Sequence, residues 1–154
     1  VCVTWTKYAN TDLVVVAWLS QLPGLNSGMV ATSLPEDNTT WAASGFVAVK
    51  TVGGTPNAYV PLREPVVTLD CYAAPAQGSA KAPWAQANNL AETVVKACYQ
   101  LSSFNTTLVL GPAGYPNARM LQARPLQEPR RVFGDRSFYA HYSFDLQTHW
   151  ISLG

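Results

Sequence analysis

Between Glu64 and Leu101 the hydrophobic pattern changes period once. Val67, Leu69, Cys71 and Ala73 alternate with Val66, Thr68, Asp70 and Tyr72, the period of two of a strand with one face covered. After a small polar loop, Ala74 to Ala82, apolar residues recur at three and four: Trp84, Ala87, Ala91, Val94, Val95, Cys98 and Leu101. That spacing predicts an amphipathic helix from Pro83 to about Ser102 whose stripe lies on the apolar face of the strand. Pro83 suits the first helical turn, where a missing N–H costs nothing.

The clearest strand runs from Ser137 to Ser152. Phe138, Ala140, Tyr142, Phe144, Leu146 and Trp150 share one face; Tyr139, His141, Ser143, Asp145, Gln147 and His149 share the other. Upstream, Leu13 to Leu22 reads as a helix capped by Thr11 or Asp12 and stopped by Pro23-Gly24. Met29 to Leu34 is a short extended piece, and Phe46 to Val52 a strand that ends in the glycine turn Gly53-Gly54. Pro125 and Pro129 argue against a central strand in the arginine-rich stretch Ala118 to Phe133. The expected fold is therefore α+β: a mostly antiparallel sheet of about four strands with two helices packed on one face. One domain spans residues 1–154, with 1–11 as a lead-in and 112–136 as a loop and arm.

Composition narrows the function classes. Charged residues make up 12%, about half the usual share, and the net charge is +1. That balance argues against a dedicated nucleic-acid binder held by bulk charge. Five tryptophans and seven tyrosines can fill a core or anchor an interface. Leu13 to Leu19 is too short to span a membrane and lacks the basic flank and cleavage site of a signal peptide. The missing initiating Met is compatible with processing or with a leader before Val1.

Candidate chemistry is sparse. Cys2, Cys71 and Cys98 contain no CxxC pair, and the last two fall on apolar faces as small buried hydrophobes. His141, Asp145 and His149 share a strand face at intervals of four, about 13 Å per interval, too far to share a metal without Asp70 or Glu64 from a neighbour. Cys71 facing inward cannot pair with His141, no serine has a GxSxG setting, and neither glycine loop matches a phosphate-binding spacing. No catalytic, cofactor or metal residue is assigned. Between Asn117 and Arg136, Arg119, Arg124, Arg130, Arg131 and Arg136 stand against Glu128 and Asp135. Such a cluster suits an ordinary solvated edge, salt bridges to a neighbouring subunit or soft contact with a polyanion, and the even charge elsewhere favours subunit contacts over tight DNA binding.

The order of these segments resembles the tail terminator proteins of long-tailed bacteriophages, especially those infecting actinobacteria. The resemblance is carried by the early helix Leu13 to Leu22, by Gly28-Met29-Val30-Ala31-Thr32-Ser33-Leu34-Pro35, and by the strand Phe46 to Val52 ending in Gly53-Gly54. It continues through Val66 to Ala73 with the Ala85 to Leu101 helix behind it, and closes on the long alternating strand after the arginine-rich segment. It implies a non-enzymatic virion protein assembled in the host cytoplasm. Such a protein forms a hexameric ring that caps the tail tube, meets the head-side connector, and lets double-stranded DNA pass through its lumen without specific binding. The contact regions expected for such a ring are Gly53 to Arg63 and Asn117 to Arg136. Within and beside them the named candidates are Gly53, Gly54, Tyr59, Arg63, Glu64, Arg119, Arg124, Arg130, Arg131, Asp135 and Arg136. The competing readings are another neck component, such as a head-closure protein or tube subunit, and a small ligand-binding or enzymatic domain using His141, Asp145 and Tyr72.

Overall fold

The computed structural model describes residues 7–55, 57–75, 82–132 and 139–153. Among the described residues two α-helices, α1 (Thr11–Ser20) and α2 (Trp84–Cys98), accompany seven strands. The strands are β1 (Val30–Ala31), β2 (Phe46–Gly54), β3 (Pro65–Ala73), β4 (Thr107–Leu108), β5 (Ala118–Pro125), β6 (Arg130–Arg131) and β7 (Ala140–Ser152). They form one sheet in the order β1-β2-β3-β7-β5-β4, with β6 also on β7.

The expectation of about four mostly antiparallel strands is corrected. The sheet has seven strands, is mixed because β1 runs parallel to β2, and curls into a half-barrel. Beyond β2, β3 and β7, the strand β1 falls within the extended piece expected at Met29 to Leu34, and β1, β4 and β6 are each two residues long, too short to show any period. The fourth, β5, lies in the stretch read as an arm. Its register shifts between Met120 and Gln122, so Ala118, Met120 and Ala123 point to the core instead of every second residue. Pro125 is its last residue, opposite Leu146, and β4 pairs only with Ala118 and Arg119. The proline therefore leaves no neighbouring strand short of a donor. Arg130–Arg131 resume the same edge of β7 after the interruption 126–129, so much of 112–136 belongs to the sheet.

β3 and β7 form the spine. They pair antiparallel from Val66↔Gln147 to Ala73↔Ala140. Val67, Leu69 and Cys71 share a buried face with Phe144, Leu146 and Trp150. α2 packs over β3, β5 and β7, whereas α1 packs over β1, β2, β4 and β5. Both helices contribute to the same core cluster.

α1 starts at Asn10, whose side chain accepts from the Leu13 N–H at 3.0 Å, one residue earlier than the expected cap. Its Trp18 is fully buried, stacks on Phe104, and donates through Nε1 to the Ser103 carbonyl at 2.8 Å. α2 buries Ala87, Leu90, Ala91, Val94 and Ala97. It stops at Cys98, so Leu101, expected to complete the stripe, is exposed on a short 3-10 turn at 101–103.

The opposite face of the sheet carries a smaller apolar cluster at one end. There Trp41, Phe46, Ala48 and Ala74 pack with Tyr72 and Tyr139. Along β3 and β7 that face carries half-buried Thr68, Asp70, His141, Asp145, Gln147 and His149.

Candidate functional site

The sequence-derived candidates separate into two groups. Gly53, Gly54, Arg63 and Glu64 meet at the root of the β2–β3 hairpin, around a cavity of about 190 Å³ shared with Thr11, Thr51, Thr55 and Pro65. A β-bulge at Val52 shifts the register between Thr51↔Val67 and Gly53↔Val66. Gly53 (φ +149°) and Gly54 (φ +118°) then hold backbone that L side chains rarely adopt. The root is well tied. Thr51 Oγ1 donates to Asp12 Oδ1 at 2.6 Å. Arg63 and Trp150 exchange both backbone hydrogen bonds at 2.9 Å, and the Arg63 guanidinium lies 5.0 Å from the Trp150 ring centre. Beyond this root the chain carries no charged residue from Thr51 to Leu62, and it exposes Val52, Tyr59 (95%) and Val60.

The arginines form the second group, along the outer edge of β7. Arg119 pairs with Ile151, Arg124 with Gln147, Arg130 with Ser143 and Arg131 with Tyr142. Arg119 and Arg131 therefore stand toward opposite ends of one strand. Arg124 and Arg130 are exposed, while Arg119 Nε is buried with no partner among the described residues. Arg131 turns to the other side of the sheet. Its guanidinium lies 4.9 Å from the Trp84 ring centre, and its Nε donates to the Tyr142 hydroxyl at 3.1 Å. Asp135 and Arg136 lie outside the described residues.

The polar face resolves into separate cross-strand pairs. His141 Nε2 lies 2.8 Å from Asp70 Oδ1, and its ring stacks on Tyr72. Thr68 Oγ1 donates to Asp145 Oδ1 at 2.7 Å. His149 Nε2 is 3.9 Å from Glu64. Each of the three strand-face residues is thus engaged with a different neighbour. Among the described residues no group of three His, Cys, Asp or Glu side chains is arranged to hold a metal ion.

Burial pushes the Asp70 carboxyl upward, but hydrogen bonds from His141 and Ser143, with the charges of His141 and Lys50, outweigh it and hold the group below its ordinary value. Ser143 is buried and donates to the carboxylate, which leaves it no role as a nucleophile activated by His141. Cys71 is fully buried on the other face from His141, and burial, then the Asp70 charge, pushes its thiol far up. Burial also raises Cys98, to about 12. Neither thiol is set up for chemistry.

A further feature escaped the sequence reading. Between Leu13 and Leu19 α1 has no polar side. Val14, Val15, Trp18 and Leu19 are buried, and Leu13, Val16 and Ala17 on its outer flank line a groove of about 420 Å³ with Leu108, Val109 and Pro112. The signal was present in the apolar run Leu13 to Leu19, since a helix apolar on every side needs cover on every side. Among the described residues no helix is long and apolar enough to cross a membrane. Neither a scan of protein-family models nor a search of curated proteins finds a match to this chain.

Proposed function

We propose that this chain is a structural subunit of a bacteriophage tail, a tail terminator whose copies close into a ring at the head-proximal end of the tube. The observation that carries this reading is the β2–β3 hairpin. Its root is pinned by paired backbone bonds, and its uncharged tip places Tyr59 and Val60 in solvent. Exposed aromatic and aliphatic side chains on a firmly held projection are costly for an isolated molecule and suit burial against another one. The exposed arginines Arg124 and Arg130 supply a second, polar contact surface at a different place on the sheet. A closed ring requires two unlike patches of this kind, because each copy presents one surface to the next and a different one to the last. A net charge of +1 suits a lumen through which DNA slides without being gripped.

Native mass measurement combined with electron microscopy of the purified chain tests the reading. A ring of about six copies, and tubes of regulated length when the chain is added to polymerising tube protein, are expected. A monomer that carries a metal or cofactor would refute it. Addition to the tube as repeating layers would instead assign the chain to the tube subunits.

A further inference from the structure

The β2–β3 tip is poor in free hydrogen-bond donors and rich in acceptors. Asn57 to Pro61 carry four backbone N–H groups, because Pro61 has none. Two of them are consumed within the tip: Asn57 Oδ1 accepts from the Tyr59 N–H at 2.9 Å and from the Val60 N–H at 3.2 Å. Among the described residues no carbonyl of 57–61 accepts a backbone hydrogen bond. Pro61 also biases Val60 toward extended backbone, so the tip is set before it meets a partner. No charge lies between Thr51 and Leu62, and the Tyr59 ring stands almost wholly in solvent. The tip therefore offers carbonyl oxygens, a ring face and one phenolic hydroxyl.

Its complement is a surface of donors without acceptors. Arginine supplies that: a fork of N–H donors, no acceptor, and a flat cation that lies on aromatic faces. Arg124 and Arg130 are exposed on the polar side of the sheet. Their partners on β7, Gln147 and Ser143, are four residues apart, about 13 Å. Neither arginine forms an ion pair among the described residues. Between them on β7 lies half-buried Asp145, whose Oδ1 accepts from Thr68 and whose carboxylate has further lone pairs to offer. The α1 groove, by contrast, presents no cation to an acceptor-rich tip.

We propose that Tyr59 of one copy enters the gap between Arg124 and Arg130 of the next. The guanidinium groups donate to tip carbonyls and lie against the ring, and the phenol donates to Asp145. This rests on the ring reading and joins its two patches into one heterologous contact, which repeats as a closed ring or an open helix. Asn57 is the positioning residue, because it keeps the Tyr59 and Val60 N–H groups from being stranded when the tip leaves water.

Charge placed on exposed residues provides the test. Tyr59→Lys faces two cations and should weaken self-association at least about tenfold by light scattering, whereas Tyr59→Glu should retain it. Arg124→Glu with Arg130→Glu should weaken it as strongly, and combining that pair with Tyr59→Lys should restore it. Circular dichroism and melting temperature should stay unchanged throughout. Asn57→Ala should lose both association and the slow amide exchange of Tyr59 and Val60, and Asn57→Asp, which keeps the acceptor, should recover both. Equal losses in Tyr59→Lys and Tyr59→Glu, or no recovery when the charges are swapped, would overturn the contact while leaving the ring reading standing. Rings that persist in the arginine pair while affinity for nucleic acid falls would do the same, and would make the arginines a polyanion surface. A wild-type chain that stays monomeric at every concentration would overturn the ring reading, and the contact with it.

Discussion

Gly53 and Gly54 offer a matched pair of perturbations. Both have positive φ, so alanine at either position carries backbone strain of about 1–3 kcal/mol. They differ in what an added methyl group meets. At Gly53 nothing lies within 4 Å. At Gly54 a Cβ would stand 2.6 Å from the Glu64 carbonyl oxygen and 2.7 Å from the Pro65 Cα. Those atoms cannot step aside cheaply. The Glu64 carbonyl accepts from Gln147 Nε2 at 2.9 Å, and the Pro65 carbonyl accepts from the buried Thr148 Oγ1 at 3.0 Å. Forcing a methyl group into a packed site costs a further amount of about 1–3 kcal/mol. Gly54→Ala should therefore be less stable than Gly53→Ala by about that much, which at typical urea slopes for small proteins moves the midpoint by roughly 1 M. The outer hairpin holds few buried side chains, so fraying beyond Thr51 sets a ceiling on the loss. Hydrogen exchange of residues 52–62 reads that fraying directly and should accelerate more in Gly54→Ala. Equal urea midpoints, or a lower one for Gly53→Ala, would refute the packing argument.

Trp18→Phe should lower stability by about 1–3 kcal/mol in urea melts, because the buried Ser103 carbonyl loses its donor. Asp70 has a lowered folded pKa, so its contribution is present above the ordinary carboxylate value and is lost as pH falls through the folded one. Urea midpoints measured downward from about pH 5 should fall more steeply for the wild type than for Asp70→Asn. Charge reversal at Arg130 and Arg131 should weaken the joining of rings or tails, and Arg131→Ala alone should change Trp84 fluorescence and cost about 0.5–1 kcal/mol. Cys71 should react with a thiol reagent only on unfolding, followed by peptide mass mapping, since it is fully buried and its thiol is held protonated.

Some of this was legible in the chain and some was not, for physical reasons. β3 and β7 announced themselves because each has one face on the core and one polar face, and α2 because its stripe is narrow. The stop at Pro23-Gly24 marks α1 as a helix, but the apolar run Leu13 to Leu19, with no polar face to orient it, hid the groove. β5 was missed because its bulge at Leu121 breaks the period of two, so Arg119 and Arg124 read as a loose basic arm. The hairpin-root candidates Gly53, Gly54, Arg63 and Glu64 do gather in one place, since glycine positions follow from local backbone needs. The arginines do not, because their spacing along the sheet is set by pairing with β7, which no local pattern reveals.

β7 is the last strand in sequence and a central one in space. β3 lies along one edge of it, and β5 and β6 along the other. During synthesis the N-terminal half can form its helix and the β2–β3 hairpin early, yet Val67, Leu69 and Cys71 have no strand beside them on that edge until residues 140–152 emerge. The fold therefore has a built-in order of completion. An unfinished chain keeps a sticky sheet edge open for a partner such as a chaperone, whereas a finished one seals that edge within itself.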